Sequence, residues 1–239
     1  MKLSDLTSGI AHGFSFSAVR PEILGSTEYT LATIVLDKTG SVATFADELF
    51  EIKKRVVEAC RKSPRGDFIL LRVLEFNSHI DEIHGFMPLP QVDASTYTVP
   101  VCCGSTALRD ATVAAVSATK AYAKTLHSQD YLVNALVVII TDGDDNQSSL
   151  KIRDVQREIE EAVTGEHLES LKTILVAVNA NVYEPKLRAF AKEAGINEYV
   201  DIGDASMGKI ARLADFVTHS ISSTSQSLGT GGPSAAITF

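Results

Sequence analysis

The chain has no apolar run longer than Ala135–Ile140, far short of the ~20 residues a membrane-spanning helix needs. Its first residues, Met1-Lys2-Leu3-Ser4-Asp5-Leu6-Thr7, lack the apolar core of a signal peptide. It has no run of basic residues longer than Lys53-Lys54-Arg55, and its net charge is −8, from 22 Lys and Arg against 30 Asp and Glu. That balance disfavours nucleic acid and anionic membrane surfaces as partners. Cysteine is scarce: Cys60, Cys102 and Cys103 are the only three. An odd, small count without a CxxC pattern fits a reducing compartment better than a disulfide framework, and the expected location is cytoplasmic. The vicinal pair Cys102-Cys103 would close only a strained ring, so both are expected to be buried packing residues. Histidine also fails to cluster with other ligands. His79 and His84 are not accompanied by a carboxylate or cysteine cluster at ligand spacing and are expected to be surface residues.

What is present is an ordinary globular balance, with 45% hydrophobic and 22% charged residues over 239 positions, enough for one sizeable core. Apolar runs alternate with amphipathic stretches. Tyr29–Leu36, Phe68–Phe76, Ala135–Ile140 and Leu171–Val178 are dense in aliphatic residues with little alternation, the pattern of strands covered on both faces. His79–Phe86 follows the turn Asn77-Ser78 and reads as the return strand of a hairpin. Helical spacing marks 42–62, 107–126, 151–163, 184–194 and 205–221. Tyr199–Ile202 is a last short strand. The order predicts an α/β domain: a Rossmann-like, doubly wound, mostly parallel sheet with one antiparallel edge strand and helices on both faces. Residues 1–28 are expected to form an N-terminal arm or edge strand, 29–221 the domain, and the Ser- and Gly-rich residues 222–239 a flexible tail.

Three polar stretches fall at the same end of this sheet, where open α/β sheets bind ligands. In Asp37-Lys38-Thr39-Gly40-Ser41 a buried strand ends in a carboxylate, and a curved loop can aim Asp37, Thr39 and Ser41 at one point. Gly104-Ser105-Thr106 places a hydroxyl just before a helix. Thr141-Asp142-Gly143-Asp144-Asp145-Asn146 ends another buried strand in acids. Taken singly, each has a plain structural alternative, with Ser41 or Thr106 capping a helix. Together they form a set of hard oxygen donors, suited to magnesium, manganese or calcium rather than zinc. An EF-hand loop is excluded, because the glycine is misplaced and no glutamate stands at the required distance. Close carboxylates raise one another's energy, so at least one of Asp142, Asp144 and Asp145 must be solvated or paired with a cation.

These motifs, DKTGS at 37–41, GSTALRDA at 104–111 and TDG at 141–143, resemble the von Willebrand factor A domain in order and strand placement over residues 29–221. That family carries a metal-ion-dependent adhesion site (MIDAS) built from DxSxS, a distant threonine and a distant aspartate. The resemblance implies hydroxyl ligands from Thr39, Ser41 and Thr106, and carboxylates from Asp37 and Asp142, some through water. It further implies a bound Mg2+, Mn2+ or Ca2+ with an open position for a Glu or Asp of a protein partner, and coupling to a shift of the last helix, 205–221. Thr39 stands where the family usually has serine and keeps the hydroxyl. The chain is then expected to be an interaction module and not an enzyme. Two other functions compete with it. Asp37-Lys38-Thr39-Gly40 also matches the phosphorylated loop of haloacid-dehalogenase and P-type ATPase relatives, with Asp37 as nucleophile; the stretch 104–111 has no role there. The chain could also be a structural assembly subunit acting through its ends.

Overall fold

Every residue from Tyr29 to Asp37 is buried, a pattern that requires both faces of the sheet to be covered. The computed structural model describes residues 3–230. Its strands are β1 (Leu6–Ala11), β2 (Phe14–Val19), β3 (Glu28–Asp37), β4 (Ile69–Phe76), β5 (Ile80–Pro88), β6 (Leu132–Thr141), β7 (Ser170–Ala177) and β8 (Glu198–Asp201). Its helices are α1 (Ala46–Arg61), α2 (Leu108–His127), α3 (Ile152–Thr164), α4 (Glu184–Ala194) and α5 (Met207–Thr230). The strands form one eight-stranded sheet in the order β1-β2-β5-β4-β3-β6-β7-β8.

From β4 to β8 all neighbours are parallel, and β5 runs antiparallel to β4. Helices α2, α3 and α4 cover one face. Helices α1 and α5 cover the other. No helix among the described residues is long and apolar enough to cross a membrane.

Three local expectations are corrected. The helix expected from residue 42 opens as a 3-10 turn, Gly40–Phe45, before α1, and Ser41 caps no helix. The N-terminal segment is a full hairpin, β1–β2, whose second strand lies parallel to β5 with Ala18 opposite Phe86. A two-residue turn, His12-Gly13, joins the strands with φ of 50° and 84°, the left-handed pair that two-residue hairpins favour. Ser17 fastens the hairpin: its N–H and hydroxyl both donate to Glu82 Oε1, at 2.9 and 2.6 Å. Glu82 Oε2 in turn accepts from buried Arg72 at 2.7 Å. Gly85 permits this approach, because a Cβ there would collide with the Ser17 carbonyl.

The third correction concerns the tail. Residues 222–230 continue α5, because their small polar side chains meet polar partners beneath them. Ser222 Oγ lies 3.3 Å from Ser63 Oγ, and Arg65 Nε donates to Ser225 Oγ at 3.2 Å. Buried Asn134 donates to the Thr224 carbonyl. The rest of the expected tail, 231–239, lies outside the described residues.

Candidate metal-binding site

Asp37 is the last residue of β3, and Thr141 the last of β6, its parallel neighbour. Parallel register therefore brings the two strand ends side by side. Thr141 Oγ1 donates to Asp37 Oδ2 at 2.6 Å, and the Thr39 N–H donates to Asp37 Oδ1 at 2.8 Å. The chain then curves. Thr39 Oγ1 sits 3.0 Å from Ser41 Oγ, and Ser41 Oγ donates to Asp142 Oδ1 at 2.8 Å. Asp37, Thr39, Ser41 and Asp142 thus form one hydrogen-bonded chain, an oxygen-rich cluster at the carboxyl end of the sheet.

Thr106 arrives from a third loop. Its N–H donates to Asn146 Oδ1 at 2.8 Å, and its carbonyl accepts from the N–H groups of Asn146 and Gln147 at 3.0 and 3.1 Å. Its Oγ1 lies 3.9 Å from where a Cβ on Gly143 would stand, so the hydroxyl faces the Asp142-Gly143 turn. The structure brings all five expected site residues to one place. Four of them, Asp37, Thr39, Thr106 and Asp142, are buried.

The loops are laced together by backbone. The Lys38 N–H donates to Phe76 O at 2.7 Å, Lys38 O accepts from the Cys103 N–H at 3.0 Å, and the Gly40 N–H donates to Gly104 O at 3.3 Å. Gly104 takes φ 80°, which a side chain would resist. This lacing corrects the expectation for the vicinal cysteines. Cys60 is buried, but Cys102 is only partly so and Cys103 is exposed, because the segment serves the site through its backbone. His84 is partly buried, not a surface residue: Nδ1 bonds Gly85 O at 2.9 Å and Nε2 bonds Tyr97 Oη at 2.7 Å. His79 is exposed, as expected.

The three acids of the second loop part company. Asp144 pairs with Lys186 at 2.8 Å. Asp145 accepts from the Arg109 N–H at 2.9 Å, the Arg109 guanidinium at 2.6 Å and Ser148 Oγ at 2.5 Å. Burial opposes the charge on Asp145, yet these bonds hold its carboxyl below the usual range. Asp110 accepts the N–H groups of Ser149 and Leu150 at 3.0 and 2.9 Å, pinning the same loop to α2. Asp142 is left in the oxygen-rich cluster, accepting from Ser41.

The electrostatics of that cluster are unbalanced. Burial pushes the Asp37 carboxyl up to about 6, against the hydrogen bonds from Thr141 and Thr39, with nearby Asp142 adding to the rise. Burial also raises Asp142. Lys38 does not relieve them, being bound to Asp81 at 2.7 Å with Glu75 at 3.8 Å. Among the described residues no three His, Cys, Asp or Glu side chains are grouped to hold a metal ion. Here two buried carboxylates, without a basic partner among the described residues, adjoin three hydroxyls, a donor set that fits a hard divalent cation.

Thr141 is the site residue that sequence reasoning missed, and its signal was its place directly before Asp142 at a strand end. Asn146 and the Gly104 carbonyl carried none, since their roles depend on contacts between loops far apart in the chain.

No family model and no curated protein matches the sequence. Solved structures do match it. The pilus adhesin SpaC from Lactobacillus rhamnosus GG superposes with TM-score 0.61 at 11% identity, over 83% of this chain and 30% of that one. The PilB minor pilin from Streptococcus sanguinis gives 0.57 at 14% identity, over 91% of this chain and 66% of that one. The proximal thread matrix protein 1 of the mussel byssus, solved with a zinc-occupied MIDAS motif, gives 0.53 at 14% identity, over 82% and 46%. The chain therefore spans under a third of SpaC and under half of the mussel protein. The likeness is one of fold. The chain has the von Willebrand factor A fold.

Proposed function

We propose that this chain is a metal-dependent protein interaction module. Asp37, Thr39, Ser41, Thr106 and Asp142 would hold a divalent cation, magnesium by preference of the donor set, with manganese or calcium as substitutes. The observation that carries this proposal is the pair of buried carboxylates, Asp37 and Asp142, linked through Thr39 and Ser41 and without a basic partner among the described residues. The cation supplies positive charge that few anionic ligands neutralise, and so attracts an outside carboxylate. The chain's own residues fix the geometry: Thr141 and the Thr39 amide orient Asp37, Ser41 orients Asp142, and the Asn146 amide holds Thr106. A Glu or Asp of a protein partner would complete the coordination, and the exposed loops around the site would select that partner. The mussel protein with its zinc-occupied MIDAS motif supports metal binding by this fold, and the adhesin neighbours support an interaction role.

The test is a calorimetric titration of magnesium into the wild type and Asp37→Ala, run beside assays for phosphoenzyme and for phosphate release from nucleotide. Saturable binding that vanishes in the variant, with no phosphoryl transfer, is expected. Acyl phosphate on Asp37 would make the chain a phosphotransferase and overturn the proposal. No metal binding by the wild type would leave assembly through other surfaces.

A further inference from the structure

Strand β1 closes one edge of the sheet, and among the described residues nothing pairs with its outer side. Edge strands are normally protected by charge, proline or a bulge. The opposite edge, β8, is short and carries Glu198 and Asp201. In contrast β1, Leu6-Thr7-Ser8-Gly9-Ile10-Ala11, has no charged residue and no proline, and it pairs with β2 without a register break.

Its hydrogen-bonding direction follows from the hairpin. The Arg20 N–H donates to Asp5 O at 2.9 Å, and register steps inward from there through Thr7↔Ala18, Gly9↔Phe16 and Ala11↔Phe14. Those odd-numbered residues turn their backbone groups toward β2. Leu6, Ser8 and Ile10 therefore turn theirs outward, where Arg20 Nε donates to the Leu6 carbonyl at 3.2 Å, a bond that a pairing strand would replace. Their side chains also share one face. Gly9 lies under the Phe16 ring on the side covered by α2, so Leu6, Ser8 and Ile10 project from the opposite side, where Ile10 is 77% exposed.

We infer that β1 is a self-pairing edge: a second copy of this chain adds antiparallel to it about a two-fold axis through Ser8. Only an even register sets outward backbone groups against outward groups. Centring on Ser8 pairs Ser8 with Ser8 and Leu6 with Ile10 of the second copy, twice. Each exposed Ile10 then gains an aliphatic cross-strand neighbour, and no like charges meet. Thr7 falls opposite Gly9 on the α2 side, where the pairing adds no bulk. The two-fold uses each β1 once, so it gives a closed dimer and not a fibre. This surface lies at the sheet edge, apart from the oxygen-rich cluster, and the inference stands without metal binding.

Sedimentation of the full chain over a concentration series tests it. The wild type is expected to show a monomer–dimer equilibrium. Ser8→Pro removes an outward N–H that β2 does not use, and Ile10→Lys places like charge at both ends of the paired strands. Both are expected to be monomers with unchanged circular dichroism, and Ile10→Lys serves alone if the proline variant fails to fold. Ser8→Cys in a Cys102→Ser, Cys103→Ser background is expected to cross-link into a dimer on oxidation, since directly opposed residues in such a pair stand ~5.5 Å apart, within disulfide reach. A wild type that stays monomeric at the highest concentration would overturn the inference. So would a dimer that survives Ile10→Lys, or one that Ser8→Cys does not link.

Discussion

Asp37 is a carboxylate whose charged form the fold disfavours, yet both of its oxygens accept hydrogen bonds. Such an arrangement orients the group without neutralising it. Thr141 is the main orienting contact, and Thr141→Val is expected to weaken magnesium binding about 10- to 100-fold, as losses behind a ligand usually do. Calorimetry checks this, and unchanged affinity would remove Thr141 from the site's design. Asp37, Thr39, Ser41, Thr106 and Asp142 were legible because each follows a buried apolar run or a glycine at the same sheet end. Thr141 was passed over despite its place directly before Asp142, since a hydroxyl closing a strand also looks like any β-branched strand residue. His84 makes a separate prediction. Burial lowers its pKa, and its neutral ring bonds Gly85 O and Tyr97 Oη. Below the ordinary histidine value of 6.5 the unfolded chain takes up a proton that the folded one resists. Stability from this group is therefore full above that value and falls as pH drops through it. Urea unfolding at about pH 5 and about pH 7.5 is expected to show a smaller loss for His84→Gln than for the wild type; equal losses would contradict the assignment.

At the scale of elements, α5 shows where composition misleads. Residues 222–230 are rich in Ser and Thr, which resembles a linker, but they lie over polar partners and extend the helix. Asn134 is the hinge of that packing. It accepts from Thr30 Oγ1 at 2.7 Å and donates to the Thr224 carbonyl, all within the interior. Asn134→Leu strands both partners and is expected to cost about 1–3 kcal/mol in urea unfolding. Hydrogen exchange should rise first near the end of α5; a uniform change would show that Asn134 does not hold it. In contrast, the bounds of α4, Glu184–Ala194, were legible in full. A proline in its first turn and Gly195 at its end, in the left-handed conformation, are local signals that need no tertiary context.

Across the whole molecule, the alternation of apolar runs and amphipathic stretches carried the doubly wound sheet and its antiparallel strand β5. It could not carry the β1–β2 hairpin, whose place beside β5 depends on Ser17 meeting Glu82, 65 residues away. The same scale holds the central claim, that the fold keeps two uncompensated acids together so that a cation can join them. A cation that binds only the folded state stabilises it by mass action, by about 2.7 kcal/mol at a hundredfold excess over its dissociation constant. Without a cation, raising Asp37 from 3.8 to about 6 corresponds to roughly 3 kcal/mol of lost stability at neutral pH.

Thermal unfolding of the wild type and Asp37→Asn, each in EDTA and in magnesium, therefore tests the account most directly. Asparagine can keep the bond from the Thr39 amide and donate to Thr141 Oγ1, whose own proton can turn to the Gly143 carbonyl 3.2 Å away. In EDTA the variant is expected to melt several degrees above the wild type, at roughly 2–4 °C per kcal/mol for a chain of this size. In magnesium the order should reverse, because only the wild type gains from the ion. A wild type that melts higher in EDTA, or that magnesium leaves unmoved, would contradict the account.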